Sequence, residues 1–361
     1  MGLLEAPLVE EALPSCEFFP VGLDRAKRTL SFARIGPEIY NSAAFLVPRQ
    51  ADMGKKAYIF NIDDLLLHAR RNPWPTARIH YILISAFCCS TLLARYLDQL
   101  GTVLVLKEPG IIAQLGILKH AHSDLTPNLE RSEWKEMATL SLNLMSRVFP
   151  AQQSVIAKPS DFGNLLGEDL LMHDLRSRIL LLSVPLRTFI LSVLKSPRRR
   201  NWVRGRAKFW HKNVARTFGL EDVNLARMND AARSAYIWIV TNCLWMALRR
   251  HAYDGRVLTM NGDFISANPS AALHTLLSFF DIQVQNEDIQ RVVESDASSH
   301  HSKRPSEKYS AEDRSLDLSD WERSYGREAS EAVEWARTFA AGVGLGIGEG
   351  PFAELSRAHA N

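Results

Sequence analysis

Four cysteines in 361 residues, Cys16, Cys88, Cys89 and Cys243, are too few and too irregularly spaced to staple a disulfide framework. That excludes a small secreted scaffold and predicts a reducing compartment. Long apolar runs are missing as well. The longest, Ala235 to Leu248, is interrupted by Thr241 and Asn242 and is too short for a bilayer, so no membrane span is predicted. The opening MGLLEAPLVEEALPS has acids where a signal peptide needs a basic region, and position 6 lacks the Ser/Thr of a myristoylation signal. A cytoplasmic protein is expected.

What is present is ordinary for a globular chain: 46% apolar and 23% charged residues. The length suits one large α/β domain with additions, or two small ones. Net charge is +3, unevenly spread. Lys195 to Arg216 holds nine Lys/Arg and no acid; outside it 34 basic residues face 40 acidic ones, a balance of −6. One concentrated basic segment on an acidic remainder suggests a local anion site and not a polyanion-binding surface, so no nucleic acid is expected. The alternative is a solvated basic loop.

Runs of strand length alternate with helical stretches. Thr29 to Ile35 and Tyr58 to Ile62 read as strands, followed by a short helix to Arg70 with Asp63 as its cap. After the breaker-rich RNPWPT come the strands Arg78–Ile84, Val103–Leu106, Ser154–Ala157, Arg178–Val184 and Arg256–Met260. Helices follow Ser90, span about Ser132 to Val148 and Asp230 to Arg250, carry Arg187 and Ser192, and start at Pro269. This alternation predicts a mostly parallel sheet covered on both faces, where ligands bind at the carboxyl ends of strands. Ser90/Thr91, Lys107/Glu108, Lys158, Ser192 and Asp263 all lie just past strand ends. Expected boundaries are an N-terminal α/β extension at 1–75, the main domain at 76–325, and a C-terminal helix with a Gly-rich tail at 326–361.

The loop Ser85-Ala86-Phe87-Cys88-Cys89-Ser90-Thr91 joins a strand to a helix. Free amides at a helix start, with the macrodipole, favour a phosphate, and Ser90 and Thr91 add hydroxyl donors. The Walker pattern needs Gly and Lys before Ser/Thr; Cys88-Cys89 stand there instead, which disfavours an ordinary ATPase or kinase.

SAFCCSTLLARYL resembles the 5′-phosphosulfate loop of sulfotransferases, and more closely a bacterial branch with Gly-Phe-Cys-Gly-Ser-Thr-Leu-Leu-Ala-Arg. LKEP, AKPSDFGNLL, the Ser192 helix with Trp202-Val203-Arg204, and NGDFISANP continue the likeness in order, from about Ile79 to Ile282. The resemblance implies a P-loop-type three-layer α/β sandwich. It also implies 3′-phosphoadenylyl sulfate as co-substrate without a metal, and a small-molecule or carbohydrate acceptor. Loop residues Ser85 to Thr91 would hold the 5′-phosphate. Arg187, Ser192 and Arg204 would hold a second phosphate. The sequence departs from the pattern at three places. Phe87 occupies the position of the loop Arg/Lys, Cys89 that of a glycine, and Ser183-Val184-Pro185 lacks the arginine of the 3′-phosphate site.

Lys107-Glu108 resembles the Lys-Glu pair of glucosaminyl sulfotransferases, with Glu108 as base and Lys107 neutralising charge; a surface pair closing a strand is the plain reading. Lys158 is the other candidate for the missing loop cation, against a lysine snorkelling from a buried strand. Arg187, Ser192 and Arg204 otherwise read as an ordinary helix surface. Cys88 and Cys89 read as packing residues, Tyr236, Trp238 and Trp245 as core, His120-Ala121-His122 with Asp124 as no metal site, and His300 to Arg304 as a solvated loop. The glycines at 342, 344, 346, 348 and 350 follow a helix and read as a turn. A divergent P-loop kinase or NTP-binding protein, or a non-catalytic relative binding nucleotide or protein, stay open beside the sulfotransferase-like enzyme.

Overall fold

The computed structural model describes residues 9–46, 57–120, 131–251, 255–295, 311–348 and 355–357. His122, Asp124, His300 to Arg304, Gly350 and the first eight residues lie outside them. The chain forms two compact units: Met1–Leu83, Leu93–Ile179 and Leu273–Val292 in the first; Ile84–Leu92, Leu180–Ala272 and Val293–Asn361 in the second.

The first unit opens with an antiparallel meander, β1 (Phe18–Asp24), β2 (Thr29–Arg34) and β3 (Ala57–Asn61). β1 escaped the sequence reading because it contains Pro20 and Gly22, and its register shifts between them; such breakers mark a bulge inside a strand. The helix after β3 runs Ile62–Arg71, and its cap is Asn61, not Asp63: the Asn61 side chain accepts from the Asp63 amide at 2.8 Å. Arg147, 2% exposed, donates to the carbonyls of Ala12, Leu13, Ser15 and Phe18. A buried guanidinium so satisfied fastens the N-terminal segment to the unit.

The central sheet has five strands in the order β5-β6-β4-β7-β8: β4 (Arg78–Ile84), β5 (Val103–Lys107), β6 (Ser154–Lys158), β7 (Ile179–Ser183) and β8 (Val257–Asn261). β6 lies parallel to both β4 and β5. The β4 amides of Tyr81 and Ser85 donate to the carbonyls of Arg178 and Leu182; both strands advance by four residues between these bonds, so this pair is parallel too. β5 and β6 are buried throughout and β4 nearly so, which is why they read as continuous apolar runs. The expected α/β class with a parallel sheet flanked by helices is what the chain adopts.

Helix Gly110–His120 was not foreseen: GIIAQLGILKH is apolar on most sides and shows no single stripe. In the second unit, helices Leu186–Leu194, Pro197–Asn213, Asp230–His251 and Ala311–Gly342 form the bulk. Tyr236, Trp238 and Trp245 are buried as expected, and the Trp238 indole donates to the Val184 carbonyl at 3.1 Å. Most of the basic segment is helix, not loop: Pro197 occupies the first turn, where its missing N–H costs nothing, and Val203, Ala207 and Trp210 form a buried i, i+4, i+7 stripe. The glycine-rich end is not only a turn, since β9 (Leu345–Ile347) pairs antiparallel with β10 (Leu355–Arg357). Among the described residues, no helix is long and apolar enough to cross a membrane.

Candidate functional site

Between β4 and helix Ser90–Gln99 the backbone takes the left-handed region at Ala86 (φ 67°), Phe87 (φ 54°) and Cys89 (φ 61°). Glycine occupies this region freely; other residues pay roughly 1–2 kcal/mol for it. Three such residues in four positions persist only if the surroundings impose them, and such strain gathers at ligand-binding turns. Left-handed residues in a tight turn let neighbouring N–H groups converge on a concavity that suits an anion. Among the described residues, the amides of Ala86, Phe87 and Cys89 have no protein acceptor. Ser90 and Thr91 are 7% and 5% exposed, and neither hydroxyl has a partner among the described residues. Amides and hydroxyls without protein partners at a helix start suit a bound phosphate.

The loop is held from outside by packing within the second unit. Gly262, at the end of β8, passes so near that an added Cβ would stand 2.2 Å from the Cys88 carbonyl oxygen and 2.7 Å from its carbon. Cys88 is fully buried, and the Cys89 sulfur lies 3.3 Å from the Ser266 hydroxyl, turned to the helix Gly262–Ala267. Gly262→Ala should therefore force the loop or that helix to move. We expect about 1–3 kcal/mol of lost stability and at least a tenfold loss of phosphate-ligand affinity, read by thermal melting and calorimetry. An alanine variant that binds as the wild type would show that the contact does not shape the loop.

Neither a family model nor a curated protein matches the chain. Among solved structures it is similar to a sulfotransferase domain from the curacin biosynthetic pathway (13% identity, 65% of this chain and 84% of that one, TM-score 0.38). It is also similar to a sulfotransferase domain from the Synechococcus PCC 7002 olefin synthase (14%, 70% and 95%, TM-score 0.35) and to a sulfotransferase from Mycobacterium avium (9%, 72% and 80%, TM-score 0.36). At such identities and TM-scores these likenesses decide nothing about what this chain does.

Phe87, where the resemblance places a cation, faces aromatic and basic neighbours. Its ring lies 5.1 Å from Trp202, edge-on at 75°, and 6.0 Å from Phe189. The Arg199 guanidinium sits 4.4 Å from its centroid and donates to the Ser192 carbonyl at 2.7 Å. Ser192 itself is 2% exposed. The sequence did not single out Arg199 and Trp202 as neighbours of Phe87. Their signal was the acid-free basic segment with a tryptophan three residues from an arginine, which is one helix face.

The other expected site residues are placed as follows. Arg187 is engaged by Glu322, Ser330 and the Gly326 carbonyl. Arg204 makes a two-pronged contact with Asp230 at 2.8 and 2.7 Å, and these hydrogen bonds hold the Asp230 carboxyl below its usual range. In the first unit, Lys107 and Glu108 do not act as one pair. Lys107, 2% exposed, donates to Asp98 at 2.8 Å and to the Asn41 carbonyl, and burial holds the Asp98 carboxyl above its usual range despite that ammonium. Glu108 accepts from Lys158 at 2.7 Å; the Lys158 ammonium also lies 5.7 Å from the Phe45 ring. β5 ends at Lys107 and the chain turns away there, so the two neighbours take different partners. Glu108 is itself left-handed (φ 52°), and its amide donates to the Lys158 carbonyl at 2.7 Å.

Proposed function

We propose that the chain is a sulfotransferase-like enzyme that moves a sulfuryl group from 3′-phosphoadenylyl sulfate to a hydroxyl or amine. The observation that carries this reading is the left-handed loop in which the amides of Ala86, Phe87 and Cys89 and the Ser90/Thr91 hydroxyls have no protein partner among the described residues, in the sequence SAFCCSTLLARYL that resembles a 5′-phosphosulfate loop. The donor brings an electrophilic sulfuryl group: as the acceptor's oxygen or nitrogen bonds to sulfur, the sulfur–oxygen bond to the phosphate breaks and adenosine 3′,5′-bisphosphate leaves. The loop amides with Ser90 and Thr91 hold the 5′-phosphate. Glu108 receives the acceptor's proton, and Lys158 fixes its carboxylate. For the 3′-phosphate the fit is poorer, because Arg187 and Arg204 already hold carboxylates.

One observation favours a second reading, a non-catalytic relative that binds nucleotide or a partner: the loop itself contains no cation, with Phe87 at the critical place. The kinase alternative needs a metal-bridged triphosphate. Calorimetry with adenosine 3′,5′-bisphosphate, ATP and GTP, each with and without EDTA, separates the three. The bisphosphate is expected to bind best and to bind equally in EDTA. ATP binding that requires Mg²⁺ would transfer the assignment to the kinase class. Bisphosphate binding without sulfuryl transfer to any of a broad set of hydroxyl and amine acceptors would favour the non-catalytic relative.

A further inference from the structure

We propose that the second unit carries a separate binding site for a neutral saccharide, in a cavity of about 400 Å³ between residues 222–229 and the helix Ala311–Gly342. The proposal does not depend on the phosphate loop. On that helix Glu331, Trp335 and Phe339 recur every four residues and so share one face. The rings of Trp335 and Phe339 lie parallel, 5.2 Å apart with 7° between their planes, and both line the cavity half-buried. The wall is backed from inside. Phe339 meets the buried Tyr236 at 6.3 Å, and the Tyr236 hydroxyl donates to the Leu220 carbonyl at 3.1 Å, which ties the segment before Asp222 to the aromatic wall.

The other wall is polar and pinned. Arg233 donates to the Leu225 carbonyl at 2.9 Å. The side-chain oxygens of Asn224 and Asn229 accept from the amides of Ala226 and Ala232 at 3.0 and 2.8 Å. That orients both side chains and leaves their NH₂ groups without partners among the described residues. The Asp222 carboxylate and the Arg227 guanidinium, five residues apart, are not paired with each other or with another described residue. Glu331 is engaged by Arg327 at 3.0 Å. The cavity therefore offers one free acid, one free base and two amide donors beside a pair of rings. A charged ligand would be repelled by one of Asp222 and Arg227 as it is attracted by the other. A hydrocarbon would strip water from four polar groups and pair with none of them. A sugar ring meets both demands. Its C–H face lies on the negative face of an aromatic ring, and its hydroxyls donate to the carboxylate and accept from the amides and the guanidinium. The volume is that of a small-molecule site, and pinned walls lower the ordering cost of binding.

The test is calorimetry on the full chain with maltotriose, cellotriose, mannotriose and chitotriose, and with adenosine as a flat aromatic control. At least one trisaccharide should bind. Trp335→Ala should weaken it at least tenfold, whereas Trp335→Phe, which keeps a ring, should stay within about fivefold of wild type. Asp222→Asn/Arg227→Gln changes two exposed side chains and should weaken binding about tenfold with an unchanged melting temperature. Binding of no trisaccharide would overturn the proposal. Trisaccharide affinity unchanged in Trp335→Ala would place the sugar elsewhere and overturn it as well. A loss in Trp335→Ala that comes with a lowered melting temperature, while the exposed double variant binds as wild type, would assign Trp335 to the fold and reject the site. Adenosine bound through Trp335 with no trisaccharide bound would replace the sugar by a nucleobase.

Discussion

Glu108→Gln is expected to lower single-turnover sulfuryl transfer by about 10²–10⁴-fold while bisphosphate affinity stays nearly unchanged, as removal of a general base does. The structure adds a consequence for stability. Lys158 is fully buried and its ammonium bonds to Glu108 at 2.7 Å. Deleting one partner of a buried pair leaves an uncompensated charge and typically costs about 3–5 kcal/mol, here toward the lower end because a quarter of the Glu108 side chain meets solvent. A slow variant is then open to two explanations, a lost base or a damaged fold. The double variant Glu108→Gln/Lys158→Met separates them. It removes both charges, so stability should return to near the wild-type value while transfer stays as slow as in the single variant. Denaturant melts and single-turnover transfer from labelled donor give the two readouts. Full turnover in Glu108→Gln would remove the base from this residue. Recovery of turnover in the double variant would make the pair purely structural.

The second large effect is on binding. In Ser90→Ala/Thr91→Val, each lost hydrogen bond to a charged phosphate is worth about 1.5–3 kcal/mol, so the dissociation constant for the bisphosphate should rise about 10²–10⁴-fold. Stability should hardly change. Both residues are over nine-tenths buried and their hydroxyls lack partners among the described residues, so replacing them with apolar groups of similar shape breaks no protein hydrogen bond. A melting temperature that holds while binding disappears is the signature of a ligand contact. A melting temperature that falls with unchanged binding would assign the hydroxyls to the fold.

Much of the framework was legible in the chain. β4, β5 and β6 announce themselves as short apolar, β-branched runs because parallel strands covered on both faces have no polar side to alternate with. Helix Ser90–Gln99 follows from a good helix-forming stretch with Leu93 and Leu97 four residues apart. The position of the loop follows from these two elements alone. β1 was not legible, because Pro20 and Gly22 disguise a bulged strand as a loop. The basic segment was recognised as an anion feature but not as a helix, since its apolar residues Val203, Ala207 and Trp210 are few and set among charges.

The sequence by itself therefore determined the α/β class, the strand–loop–helix at Ser85 to Thr91, and the polar residues that follow strand ends. Only the tertiary structure decided which partners those residues take. Lys107 goes to Asp98 and Glu108 to Lys158, although Lys107 and Glu108 are adjacent in the chain, because β5 ends at Lys107 and the backbone turns left-handed at Glu108. Arg187 and Arg204 go to Glu322 and Asp230, which lie 135 and 26 residues away. The left-handed turns at Ala86, Phe87 and Cys89 carry no glycine signal; the backbone accepts them beside the packing of Gly262 on Cys88 and of Phe87 on Trp202. Spacing along a chain reports local periodicity. Pairing of charges and the shape of a strained loop are settled by contacts between segments that no local period encodes.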